Sequence, residues 1–324
     1  MRQSGEHPKG VWTRRRFLRW AATLTAGMAV LGPGCAGGGQ PPDASARRAA
    51  PDPTGDQAYL TVVHGPDPAV ITERALAALG GIERFVKPGD TVVIKPNICV
   101  DYNPPEYAAT TNPTVVATLV RLCLGAGARR VSVMDMPFGG TPESAYEISG
   151  IAAAVKAAGG EMVLMNRAKY LDVAIPGGRD IEKWSIYADV MTTPVLINVP
   201  IAKHHSLARL SLGLKNLLGT VARANQIHSN LGQRVADLAS VIRPTLTVVD
   251  AVRILMDHGP TGGSLNDVRQ ADTVIASHDF VAADARAAGF FDLGADDVPF
   301  IRAAAQMGLG RVDLDGLRVE ELNV

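Results

Sequence analysis

Short apolar runs and longer amphipathic stretches alternate along most of the chain. YLTVV (59–63), TVVIK (91–95), RVSVMD (130–135) and EMVLM (161–165) read as strands, with helical patterns between them over 69–79, 113–124 and 151–158. Strands without polar alternation are buried on both faces, which is the signature of a parallel sheet covered by helices. A second series follows: VLINVP (195–200), an apolar helix over about 207–221, a helix over 235–242, TLTVVD (245–250), TVIAS (273–277), and helices over 279–288 and 298–307. The expected fold class is α/β, a mostly parallel sheet or sheets flanked by helices, as one domain over 58–324 or as two closely packed lobes. Thr111-Asn112-Pro113 supplies a cap and a proline for the first turn of one helix, and Gly125-Ala126-Gly127 supplies its stop.

The pattern breaks down before residue 58. TRRRFLR (13–19) precedes a moderately apolar run over 20–31, the order of a twin-arginine export signal. That run is well short of the roughly 20 residues a spanning helix needs, so no spanning helix is expected in the mature protein. We expect a signal peptide over 1–36 and a flexible linker over 37–57, rich in Gly, Pro, Ala and Asp. The twin-arginine translocase is then a partner during export, and the expected location is periplasmic or otherwise extracytoplasmic. Lipid anchoring at Cys35 is the weaker alternative, because Gly32 stands where lipoprotein signals carry a branched apolar residue.

Composition narrows the function. Lys plus Arg and Asp plus Glu both total 32, giving zero formal net charge, and no basic block follows the signal. The electrostatic footprint of a nucleic-acid binder is missing. Cys99 and Cys123 are the cysteines beyond Cys35, too few for a disulfide framework or for a four-iron cluster. HExxH, CxxC, GxSxG and P-loop patterns are absent from the sequence.

In open α/β sheets ligands gather at the carboxyl ends of strands, and four polar segments occupy that position. They are NICVDYNPPEYAATTN (97–112), DMPFGG (135–140), Lys203-His204-His205, and Asp250. His204 and His205, read as a loop before a helix, can act as general acid, base or metal ligand, or can cap and pack locally. Lys215 sits beside an apolar stripe of Leu210, Leu214, Leu217 and Leu218. Desolvation there would depress its pKa and make it a nucleophile or a cofactor tether; a snorkelling stem is the plainer reading. Gly213 suits the close approach of another group. His228 lies in a polar crossing, as a third ligand or a solvated residue, and DHGPTGG (257–263) could offer backbone N–H groups to an anion.

Taken in order, Lys95-Pro96-Asn97, Thr110-Thr111-Asn112-Pro113, Ala126-Gly127-Ala128 leading to VSVMD, Lys203-His204-His205, Leu214-Lys215-Asn216, Asp250, Gly259-Pro260 and Asp279 to Asp284 form a familiar series. It resembles the domain-of-unknown-function 362 family from about 60 to 292. The resemblance supplies no established reaction. It marks Lys95, Asn97, Thr110, Thr111, Lys203, Asn216, Asp250 and Gly259 as candidate substrate-binding residues beside His204, His205 and Lys215 as candidate catalytic ones. A more distant likeness, His205 followed by Gly213-x-Lys215, is to nickel-pincer lactate racemases. It implies Lys215 as the tether of a nickel-pincer cofactor, His205 as a proton-transfer base and His228 as a metal ligand. This chain reads SLGLKNLLG where those enzymes carry Ser-Gly-Gly before the lysine and Pro-Gly after it. The expected function is an exported enzyme acting on a small anionic or metal-bound substrate, with proton transfer by histidine. A non-catalytic extracytoplasmic binding protein for a small ligand or metal uses the same residues.

Overall fold

Strand positions follow the buried apolar runs. A computed structural model describes residues 48, 49 and 51–324; the expected signal peptide and most of the expected linker lie outside the described residues. The strands are β1 Leu60–His64, β2 Thr91–Pro96, β3 Arg130–Val133, β4 Glu161–Met162, β5 Tyr170–Ala174, β6 Lys183–Tyr187, β7 Val195–Val199, β8 Ile201–His205, β9 Arg209–Ser211, β10 Leu246–Leu255, β11 Val268–Ser277 and β12 Val319–Asn323. The helices are α1 Pro68–Ala78, α2 Pro113–Gly125, α3 Pro142–Ile148, α4 Ile151–Ala157, α5 Ala188–Thr192, α6 Gly213–Asn216, α7 Leu231–Ile242, α8 Phe280–Ala288 and α9 Pro299–Gln306.

A ten-stranded sheet runs β12-β1-β11-β10-β7-β2-β3-β4, with β8 paired to β10 and β9 paired to β8. The run from β4 through β3, β2 and β7 to β10 is parallel. β11 is antiparallel to both β10 and β1, so the sheet is mixed but mostly parallel in its centre. Both series of elements enter this one sheet. Successive side chains of a strand face opposite ways. Val92 and Ile94 accordingly pack into the cluster shared with α1, α2 and α4, while Val93 packs into the cluster beneath α7, α8 and α9. Each fully buried Leu, Ile or Val contributes about 1.5–3 kcal/mol, and both faces are filled with them.

The cap expected for the second helix is present: the Asn112 side chain accepts the Thr114 N–H, Pro113 opens α2, and the chain turns at Gly127 with φ +87°. The single apolar helix expected over 207–221 does not form. Its residues make β9, the short α6 and a 3-10 turn, Leu217–Thr220, after an extended Leu212 at φ −139°. Leu210, Leu214, Leu217 and Leu218 are still buried, so the pattern reported burial correctly and the element wrongly. Lys203-His204-His205 is likewise strand β8, not a loop. The β5–β6 hairpin, an antiparallel pair apart from the main sheet, has no counterpart in the apolar pattern because its strands are only partly buried. The far end of the expected linker is held to the domain: Arg48 pairs with Asp90 at 2.9 Å, and the Arg84 guanidinium donates to the Pro51 carbonyl at 2.5 Å.

Candidate functional site

At the carboxyl ends of β2, β3 and β8 the chain encloses a cavity of about 870 Å³. Lys95, Asn97, Lys203, His205, Lys215, Asn216 and His228 all line it, together with Cys99, Asp135, Ser211, Arg167, Tyr170, Ser185 and Arg223. Strand alternation sorts the β8 triplet: Lys203 and His205 face the cavity, and the intervening His204 faces away. His204 Nδ1 instead accepts the Gly259 N–H at 3.1 Å, with Asp257 3.8 Å away.

Thr110, Thr111, Asp250 and Gly259 also lie off the cavity wall and shape the loop after β2. Thr111 Oγ1 accepts the Asn97 N–H and donates to the Val199 carbonyl, both at 2.8 Å. Thr110 Oγ1 accepts from the Cys99 N–H at 3.3 Å. Asp250 accepts the Asn112 and Val252 N–H groups at 2.7 and 3.0 Å, and burial pushes its carboxyl up to about 6.

In the cavity floor, Lys95 and Asp135 form a buried ion pair at 2.7 Å. Burial loosens the Lys95 proton and strengthens Asp135's hold on one, and their mutual attraction opposes both effects. Asp135 also accepts the Ile98 and Met136 N–H groups at 2.6 and 2.9 Å. Gly219 lets the chain pass over this pair, since a Cβ there would collide with Asp135 Oδ1 and lie 2.8 Å from Lys95 Nζ. Asn216 ties the floor together, accepting from Lys95 Nζ at 2.7 Å and from Asn97 Nδ2 at 3.1 Å while donating to Asn198 Oδ1 at 2.8 Å.

His205 is oriented by its own backbone. Its Nδ1 accepts the N–H groups of Leu207 and Ala208 at 3.2 and 3.3 Å, which assigns the ring proton to Nε2. Burial first, then the charges of Lys215 and Lys203, push its pKa down to about 3, so the ring is a neutral donor at ordinary pH. Lys215 is pushed down to about 7, chiefly by burial and then by the charge of Lys203, with Cys99 acting in the opposite sense. Burial and the Lys215 charge also lower His228, which lies on the 3-10 segment Ala224–Asn230.

Residues 92–289 match the model of the family described as Domain of unknown function (DUF362). The chain belongs to that family. It is also 29% identical over 249 residues to the Thylakoid-associated protein sll1697 of Synechocystis sp. (strain ATCC 27184 / PCC 6803 / Kazusa), covering 72% of this chain and 73% of that protein. Among solved structures it has a weak overall likeness to the lactate racemase apoprotein from Thermoanaerobacterium thermosaccharolyticum, with a TM-score of 0.46 and 14% identity. That alignment covers 74% of this chain and spans 58% of the racemase chain.

Lys215, His205 and His228 line one cavity. Yet among the described residues no group of three or more His, Cys, Asp or Glu side chains could hold a metal ion. His228 belongs to no such group among the described residues. Cys99 and Cys123 are both free and buried. No described helix is long and apolar enough to cross a membrane.

Sequence reasoning passed over Asp135 as a site residue, although it had marked the segment after β3, because its role depends on Lys95 across the sheet. Arg167, Tyr170 and Ser185 were missed with the hairpin that carries or adjoins them, and Arg223 with the irregular segment around it.

Proposed function

We propose that this chain is an exported enzyme that binds a small anionic substrate in the strand-end cleft and moves a proton on it. The observation that carries this reading is the charge balance of the wall. Its one carboxylate, Asp135, is paired with Lys95, while Lys203, Lys215, Arg167 and Arg223 also face the cavity. A cleft with that surplus favours an anion.

Within it His205 offers Nε2–H as a fixed hydrogen-bond donor to the substrate. The proton is moved by a histidine, and His228 is the one whose ring nitrogens have no hydrogen-bond partner among the described residues. Lys215, close to half-protonated at neutral pH, holds the anion's charge in one state and releases it in the other.

The test is a thermal-shift screen of small carboxylates and phosphate, followed by solvent-deuterium incorporation into each stabilising carboxylate, read by NMR. Exchange that is lost in His228→Ala while binding persists supports the enzyme. Stabilisation without exchange leaves a binding protein, and no stabilisation by any anion removes the reading. Metal analysis and intact mass of the protein purified from cytoplasmic expression decide whether Lys215 carries a tethered cofactor.

Export rests on the Arg14-Arg15-Arg16-Phe17-Leu18 order before an apolar run. Cell fractionation of the full chain against Arg14→Lys with Arg15→Lys tests it: the double variant should stay in the cytoplasm.

A further inference from the structure

Three lysines reach the cavity, and two of them have no donor left for a ligand. Lys95 Nζ meets Asp135 Oδ1, Asn216 Oδ1 and the Pro96 carbonyl at 2.7, 2.7 and 2.9 Å. Lys203 Nζ meets the Ala109 carbonyl, the Pro260 carbonyl and Asn97 Oδ1 at 2.6, 2.8 and 3.0 Å. An ammonium carries three N–H bonds, so both groups are saturated by the protein. Lys215, only partly exposed, lines the same cavity and makes no hydrogen bond or ion pair with any described residue.

An amine without a partner, desolvated and set beside other cations, is the arrangement that yields a nucleophilic lysine. Lys95 and Lys203 cannot serve a ligand directly, but their charges act on Lys215. The turn beneath it is held firmly: Asp284 accepts the Gly213 and Leu214 N–H groups at 2.6 and 2.8 Å, and Asn198 Nδ2 donates to the Gly213 carbonyl at 2.9 Å.

From this contrast we propose that Lys215 forms an imine with the carbonyl carbon of a small 2-oxo acid. The proposal rests on the small-anion reading and names its substrate class. The carbonyl is required by the nucleophile, and the carboxylate by the surplus of positive charge. Arg167 and Arg223 line the cavity without an ion pair to any described carboxylate.

The neutral Nζ lone pair bonds to the carbonyl carbon as the π pair moves to oxygen. A nitrogen proton passes to that oxygen, giving a carbinolamine. The hydroxyl takes one proton from solvent and leaves as water, and the nitrogen lone pair closes the C=N bond of an iminium that keeps one N–H. No oxidant or reductant is consumed. The His205 Nε2–H is the fixed donor on this wall for the developing alkoxide, and the iminium then draws electrons from the neighbouring carbon, whose proton a histidine can remove.

The experiment treats the purified full chain with pyruvate, glyoxylate or 2-oxoglutarate and cyanoborohydride at neutral pH, then maps reduced adducts by peptide mass spectrometry. One adduct is expected, at Lys215, forming on the order of tenfold or more faster than at surface lysines, because an ordinary lysine pKa near 10.4 leaves so little free amine. Lys215→Met should lose it. Lys215→Arg, which keeps the charge but forms no imine, should lose it too, with thermal melts establishing that each variant is folded.

Adducts scattered over surface lysines, or unchanged in Lys215→Arg, overturn the proposal. Malonate separates the two levels of inference. If it raises the melting temperature but none of the three oxo acids is trapped, the imine falls and the anion cleft stands. If neither malonate nor any other anion of the screen raises the melting temperature and nothing is trapped, both fall.

Discussion

Asp284, buried in α8, holds Gly213 at the start of the turn that presents Lys215, its Oδ1 accepting the glycine N–H at 2.6 Å. The same carboxylate takes the Leu214 N–H at 2.8 Å, and burial raises its pKa to about 7. A Cβ at position 213 would lie 2.7 Å from Asp284 Oδ1, which is why glycine stands there.

Asp284→Asn should therefore destabilise the fold by about 1–3 kcal/mol, because an amide keeps one acceptor and turns its NH2 towards a buried N–H that then goes unpaired. Urea unfolding measures the loss. If imine trapping holds for the parent chain, the variant should trap more slowly even where it remains folded, since Asp284 acts by positioning Lys215.

The Lys95–Asp135 pair should behave as one unit. Asp135→Ala strands a buried ammonium and leaves the Ile98 and Met136 N–H groups without their acceptor. A loss of about 3–5 kcal/mol is expected. Lys95→Met combined with Asp135→Leu should cost less than Asp135→Ala alone, because no unpaired charge remains. A double variant no more stable than the single one would mean that the pair is not the source of the penalty.

Gly219→Ala pushes a methyl into Asp135 Oδ1, the nearest atom, and to 2.8 Å from Lys95 Nζ. Overpacking of this kind costs about 1–3 kcal/mol. The melting temperature should fall, and the effect should shrink when Asp135 is already Ala, a coupling readable in a double-mutant cycle.

These residues also mark what could be read from sequence. The parallel centre of the sheet was legible because β2, β7 and β10 are buried on both faces and carry mostly apolar runs without polar alternation. Lys95, Asn97 and Lys203 were legible as site candidates because strand ends are where an α/β sheet leaves room, and Lys215 because it stands beside a buried leucine stripe. What a lysine does there was not legible, since the acceptors of Lys203 come from Asn97, Ala109 and Pro260, scattered along the chain. The segment 207–221 was misread as one helix because helical spacing of leucines reports which side chains are buried, and a strand followed by two short turns buries the same set. The β5–β6 hairpin, with mixed exposure, gave no run to find.

Lys215 also supplies a pH signature. Its pKa is about 7 in the folded chain against an ordinary 10.5. Between those values the unfolded chain binds the extra proton, so this group makes stability rise with pH across that window. Below about pH 7 the folded state carries the full cost of a buried ammonium. Lys215→Met removes the cost, so the variant should melt above the parent near pH 6, and the gap should narrow by up to about 1.4 kcal/mol per pH unit as pH rises towards that of a free lysine. Other titrating groups are common to both proteins and cancel in the difference. A gap that stays flat from pH 6 to the edge of the lysine range would mean that the Lys215 ammonium is solvated in the cavity, and it would then serve only as a charge that holds the anion.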